Sequence, residues 1–216
     1  RIHDSAPNER RSTATADSQN HLGAEQEGRL MDRDKIKFHI RGLLEAIGEN
    51  PDREGLRETP DRVARMYEEV FAGIAVSNHD IAERFGKTFP AEEGEAESTV
   101  VIRDITVFSY CEHHMALMYD MSVNVAYIPN GKVIGLSKVA RICEMAAKRL
   151  QLQEKLGKDI AEIIAEAAGT KDVGVQIIGS HSCMTARGIR NVNAKTVTTT
   201  FLGEFKTNDK LKELVR

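Results

Sequence analysis

Apolar side chains recur along this chain first with the period of a helix and later with the period of a strand. Ile36, Ile40, Leu43, Leu44 and Ile47 fall on one helical stripe, which Gly48 and Asn50-Pro51 bring to an end. A second helix is predicted from Thr59 as N-cap, with Pro60 at the first helical position. It runs through Val63, Met66, Tyr67, Val70 and Phe71 to Gly73. A short helix over Asp80 to Phe85 leads into a Gly- and Glu-rich loop ending near Glu97. The period then changes. Thr99 to Tyr110 is rich in β-branched residues and reads as a strand. From Leu117 to Tyr127 the odd positions are apolar, with Asp120, Ser122 and Asn124 between them. That alternation predicts a half-buried strand with one face toward water or a partner. Pro129-Asn130-Gly131 marks a turn, and Lys132 to Gly135 a short return strand. Helices follow from Ser137 to about Leu150 and from Leu152 to Ala168. The latter carries Leu156, Ile160, Ile163, Ile164 and Ala167 on one face. Asp172 to Gly179 and Lys195 to Glu204 read as strands, and a short terminal helix carries Leu211 and Leu214. Helices first, then antiparallel strand pairs interrupted by a helical pair, predict an α+β fold.

Composition narrows the function. Over 216 residues, 30 basic and 33 acidic side chains leave a net charge of −3, which argues against a nucleic-acid partner. Residues 1–30 hold no Val or Phe and no apolar period, so a disordered tail is expected, or an artefact preceding a start at Met31. The rest, 31–216, reads as one domain, with N-terminal helices over 31–97 and a strand-bearing core over 98–216. Three cysteines cannot all pair, so a secreted disulfide framework is not expected. No apolar run approaches the roughly 20 residues that span a bilayer, and the N-terminus lacks a signal-peptide core. These features predict a soluble, cytoplasmic protein with no membrane partner.

Cysteine and histidine gather in two places. Cys111-Glu112-His113-His114 follows the first long strand, and His181-Ser182-Cys183 follows the strand at 172–179. Thiolate and imidazole suit tetrahedral zinc. One turn can present Cys111 and His114, and Cys183 would supply a third ligand, the number found with an open, catalytic metal position. His113 and His181 would then be free for proton transfer near neutral pH. A lone Cys-x-x-His is weak, and the second His/Cys pair strengthens the metal reading without fixing it. Cys143, beside Ile142 and Ala146, reads as a buried core thiol.

Basic residues offer a second constellation. Gly135-Leu136-Ser137-Lys138 lies where a strand gives way to a helix, with Ser137 read as N-cap, and such an end favours anions. Lys138 and Arg141 share a helix face, and Arg187 could reach the same place; solvated surface charge is the competing reading. Glu154, at the junction of two helices, could accept two hydrogen bonds from a guanine-like edge, or merely favour the helix dipole.

Taken together, these motifs resemble the GTP cyclohydrolase I family of zinc enzymes. The matching stretches are Thr59-Pro60-Asp61-Arg62-Val63-Ala64, Cys111-Glu112-His113-His114, the run from Gly135 to Ile142, and the run from Arg149 to Glu154. His181-Ser182-Cys183-Met184, Arg187-Gly188 and Asn193-Ala194-Lys195-Thr196 complete the set, over about residues 34–206. The resemblance implies a T-fold, in which antiparallel strand pairs from several subunits form a barrel with helices outside. It implies rings stacked as a decamer of two pentamers, GTP as substrate and zinc as cofactor. Cys111, His114 and Cys183 match the metal ligands, and His113 and His181 the catalytic histidines. Ser137, Lys138, Arg141 and Arg187 match positions holding the triphosphate and ribose, and Gln153 and Glu154 those near the guanine. Leu117-Met118-Tyr119-Asp120 stands where many members have Pro-Phe-x-Gly, and Asn124 where a His is frequent. A related T-fold pterin or deazapurine enzyme, or a non-catalytic zinc-stabilised ring protein, are the alternatives.

Overall fold

The computed structural model describes residues 31–91 and 98–216; the segment 1–30 and the loop over 92–97 lie outside the described residues. The first apolar stripe forms α1 (Arg33–Ala46), whose N-cap Asp32 accepts from the Lys35 backbone N–H. The second forms α2 (Thr59–Val70). Its cap is Glu58 rather than Thr59, and no side chain caps it, because the Glu58 carboxylate takes Arg62 instead (2.7 Å). At α3 (Asn78–Phe85) a reciprocal box does form, between Ser77 and Asp80.

The predicted α+β character holds. Five strands make one sheet, and two more pair separately. The order in the larger sheet is β5 (Leu150–Gln151), β2 (Val100–Cys111), β3 (Ala116–Tyr127), β6 (Val173–His181) and β7 (Thr196–Phe201). From β2 to β7 each strand runs antiparallel to the next, and β5 runs parallel to β2. The return strand is β4 (Lys132–Ile134), and it pairs not with the strand before it but with β1 (Thr88–Pro90). Periodicity cannot reveal so short a partner as β1. The Tyr127 hydroxyl accepts from the Ile134 backbone N–H (2.8 Å) and ties this small pair to the end of β3.

α4 (Leu136–Ala147) starts one residue before Ser137, with Gly135 as cap, so Ser137 lies in its first turn and caps nothing. It also ends earlier than expected. Leu150–Gln151 form the two-residue β5, parallel to the end of β2. α5 (Gln153–Ala168) follows, and after β6 come the single turn α6 (Ser182–Thr185), a 3-10 turn at Gly203–Lys206 and α7 (Asp209–Glu213).

α4 and α5 cover one face of the sheet, where Val139, Ile142, Leu156, Ile160, Ile163 and Ile164 meet Met121, Val123, Val125 and Ile177. β3 departs from simple alternation in two ways. Val123 to Tyr127 are buried without a break, because Phe205 and Val215 close over Ala126 on the opposite face. Nearer its start the register slips between Tyr119 and Ser122, so Met118 and Met121 are buried rather than Leu117 and Tyr119. Asp120, at that slip, holds a φ of 49°, in the left-handed region that Gly favours and Asp tolerates. Its carboxylate meets Lys195 at 3.2 Å. Asn124 ties β3 to two other segments. Its side-chain oxygen accepts from Asp104 N–H, and its nitrogen donates to the Val215 carbonyl, both at 3.0 Å.

Candidate functional site

The Cys/His clusters are far apart in sequence, and sheet pairing makes them neighbours. Cys111 ends β2 and pairs with Ala116 at the start of β3, so residues 112–115 are the turn of a hairpin. Two residues into β3, Met118 pairs with His181, the last residue of β6. Cys183 follows within α6, and the Tyr119 hydroxyl donates to Thr185 at 3.0 Å, fastening that turn to β3. Cys111, His113, His114, His181 and Cys183 therefore gather at one end of three adjacent strands. All three cysteines are free thiols.

Their environments differ. Cys111 is buried, while His113 and His114 are exposed on the turn, rings edge to face. His114 Nε2 lies 3.1 Å from an Arg187 guanidinium nitrogen. Arginine only donates, so this Nε2 presents its lone pair, the form a metal ligand requires. His181 is half-buried, and desolvation lowers its pKa below the ordinary histidine range, against a pull upward from Glu154. Its Nε2 lies 2.9 Å from the Gln153 side-chain oxygen. Cys143 is inert by comparison: complete burial in α4 pushes its thiol up to about 12.

Among the described residues, no three His, Cys, Asp or Glu side chains stand together closely enough to hold a metal ion. The donor chemistry nevertheless fits zinc, with two thiols and one imidazole at the same sheet end whose unprotonated Nε2 accepts from Arg187, a partner that a metal ion would displace.

The expected anion-binding residues lie elsewhere. Gly135 and Leu136, just ahead of Ser137 and Lys138, line a cavity with Val100 and Tyr127. Val100 and Tyr127 pair at the end of the β2–β3 ladder opposite to Cys111. Ser137 and Arg141 are exposed and Lys138 half-buried, on the first turns of α4. Arg187 alone of the basic set stands at the cysteine end. Gln153 and Glu154 begin α5, Glu154 exposed and Gln153 buried.

One half-buried group lay outside the sequence expectations. The Arg149 guanidinium donates to the carbonyls of Gly73 (3.0 Å) and Val76 (2.7 Å), to Asn78 (2.7 Å) and to Asp159 (3.0 Å). Asp159 also accepts from Gln151 at 2.9 Å, and the Gln151 carbonyl accepts from Glu112 N–H at 3.1 Å. This network seats β5 against the end of β2 next to Cys111. The only trace in the sequence was the stretch from Arg149 to Glu154, read for its last two residues.

A family model for GTP cyclohydrolase I matches residues 36–216, and the chain belongs to that family. It is 56% identical over 183 residues to GTP cyclohydrolase 1 of Clostridium acetobutylicum, covering 84% of this chain and 94% of that one. It is 58% identical over 184 residues to the protein of that name from Ruminiclostridium cellulolyticum, again covering 84% and 94%. A crystal structure of the archaeosine synthase QueF-Like in the apo form is 19% identical, with a TM-score of 0.38, over 49% of this chain and 92% of that one. That likeness is too weak to carry an argument.

Proposed function

We propose that this chain converts GTP and water to formate and 7,8-dihydroneopterin triphosphate, the first step of pteridine biosynthesis, as a zinc-dependent GTP cyclohydrolase I. The observation that carries the reading is the convergence of Cys111, His113, His114, His181 and Cys183 at one sheet end, in a member of this family. Cys111, His114 and Cys183 would hold the zinc. Bound there, zinc would supply a water acidic enough to attack near neutral pH.

The chain's own residues do the rest. A first water adds at carbon 8 of the guanine, and the C8–N9 bond breaks to leave a formamide on N7. A second water cleaves the C8–N7 bond and releases carbon 8 as formate. His113 and His181 exchange protons with the ring nitrogen in these steps. The ribose then rearranges and recloses onto the freed N7 amine with loss of one water, so that one water is consumed overall. Glu154 accepts from the adjacent N–H groups of the guanine edge and keeps the base in register. Ser137, Lys138, Arg141 and Arg187 hold the triphosphate and ribose, so that binding energy remote from carbon 8 serves orientation there.

The separation of α4's basic residues from the cysteine end supports a site completed between subunits. One chain offers metal ligands at one end of β2–β3 and anion ligands near the other. A T-fold barrel, closed as a decamer of two pentamers, would bring the two kinds of end together and cover the free sheet edges. Among the described residues no helix is long and apolar enough to cross a membrane, in keeping with a cytoplasmic enzyme.

The test is incubation of the zinc-loaded protein with GTP, followed by assays for formate and, after oxidation, for a fluorescent pterin. Both products are expected. Metal bound stoichiometrically with no formate released would overturn the reading. Cys111→Ser and Cys183→Ser should each lose zinc, whereas His113→Ala should keep zinc and lose turnover.

A further inference from the structure

Gln153 opens α5 and is only 1% exposed. Its side-chain nitrogen donates to the carbonyls of Ile177 and Thr196, each at 3.0 Å, and lies 3.2 Å from the Thr198 hydroxyl. The two carbonyls can only accept. An amide turned the other way would set its oxygen against both of them, so the neighbours decide the orientation. The oxygen then faces His181 Nε2 at 2.9 Å. An amide oxygen cannot donate, so Nε2 carries the proton and the lone pair of neutral His181 sits on Nδ1.

The space around that oxygen is closed. A Cβ added at Gly179 would stand 3.1 Å from the Gln153 oxygen and 3.0 Å from Met121 Cγ. One turn along α5, a Cβ at Gly157 would stand 3.0 Å from the Thr200 hydroxyl. These two glycines let α5 lie close enough to β6 and β7 for the amide to reach both strands and the histidine together. Nothing in this arrangement leaves the Gln153 side chain free to meet a base.

We propose, on the basis of the function above, that Gln153 is a positioning residue acting through His181. It holds the imidazole in its Nε2–H form and in one orientation, so that every proton His181 exchanges with substrate passes through Nδ1. Reading of the guanine edge falls to Glu154. The His181 ring is only half-buried, and its Nε2 is bonded to a group that β6 and β7 hold in place.

Two measurements decide this, both on the full-length zinc-loaded protein. The first is ¹⁵N magic-angle-spinning NMR of histidine-labelled protein at about pH 8.5, two units above the ordinary histidine value, with His181→Asn to identify the signals. Protonated Nε2 with unprotonated Nδ1 is expected, and the Nδ1–H form would overturn the proposal. The second is steady-state kinetics of Gln153→Met and Gly179→Ala, the latter crowding the oxygen without removing the amide. Both should retain zinc and lower kcat, by about ten- to a hundredfold for Gln153→Met and less for Gly179→Ala, with KM for GTP within about threefold of the parent. A raised KM at unchanged kcat would mean that Gln153 binds the substrate itself, and the proposal would fail. Unchanged kcat in both variants would overturn it equally. Should Gln153→Met not fold, the parent spectrum and Gly179→Ala still decide. The spectrum needs no turnover, so a parent that releases no formate removes the assigned reaction without touching the tautomer result.

Discussion

α1 and α5 are amphipathic helices of similar length, 14 and 16 residues, yet ten residues of α5 are buried and none of α1. Leu156, Ile160, Ile163 and Ile164 of α5 meet the sheet, whereas Leu43 of α1 and Ile47 at its C-cap, on the apolar stripe, are 55 and 67% exposed. Their polar contacts differ in the same way. α5 contributes Asp159 to a largely buried ion pair with Arg149, while α1 is joined to α2 by Arg33 and Lys37 around the more exposed Asp61. A helical stripe in sequence thus establishes that a face exists without establishing that its own chain covers it. In α1 only Ile36, Ile40 and Leu44 of the stripe are half-buried. The Leu43 and Ile47 edge is left for another surface, and a second copy of the chain is the partner expected from the ring assembly proposed above.

The sharpest way to break this contrast is to remove one acid from each region. Asp159→Ala leaves the Arg149 charge in the interior with neutral partners only, and should cost about 3–5 kcal/mol in denaturant unfolding. Asp61→Ala, at the α1–α2 junction, should move the unfolding midpoint far less, since its partners can turn to water. Equal losses would mean that the two ion-pair systems do not differ as their burial implies.

A second test addresses the uncovered stripe. Leu43→Ser combined with Ile47→Ser should reduce assembly in sedimentation velocity while leaving the helical content of the dissociated chain nearly unchanged. Association as tight as in the parent would show that this face is not an assembly surface.

The smallest effect is expected where α3 touches α5. His79 Nδ1 is bonded to Glu166, with Glu83 one turn along, and that bond first, then the nearby charges, holds the imidazole pKa above its ordinary value. Because the folded pKa is raised, the contact's contribution is complete below about pH 6.5 and fades as pH rises through the raised value. Hydrogen exchange of α3 amides, corrected for the intrinsic pH dependence, should show protection falling over that window, and His79→Gln should abolish the change. A profile identical in the variant would assign the pH dependence elsewhere.

Much of the fold was legible because the long elements carry strong periods, as in α5 and the β2–β3 pair. The short elements were not. β1 and β5 have three and two residues, and each exists only because a partner strand and a polar anchor hold it, Tyr127 for the small pair and the Arg149 network for β5. β3 misled in a different way. Its alternation is real in the sequence, but the slip at Asp120 changes the buried face and the C-terminal segment covers the other one. For the site, clustering of Cys and His was visible as composition at two strand ends, and strand pairing explains why the clusters meet. Gln153 was read by its position beside Glu154. That its amide is spent on β6, β7 and His181 depends on the close approach at Gly157 and Gly179, a three-dimensional fact with no local signature.

The bond from Asn124 to the Val215 carbonyl joins residues 91 positions apart. On the ribosome, β3 leaves the exit tunnel long before the residues that complete it. Until Phe205 and Val215 arrive, Ala126 presents a bare apolar face and the Asn124 amide lacks its acceptor, on a strand that also carries Val123, Val125 and Tyr127. Nascent chains in that interval carry the exposed surface from which misassembly starts. Synthesis speed over the stretch that encodes residues 128–215, and the chaperones present then, thus bear on the yield of folded chain.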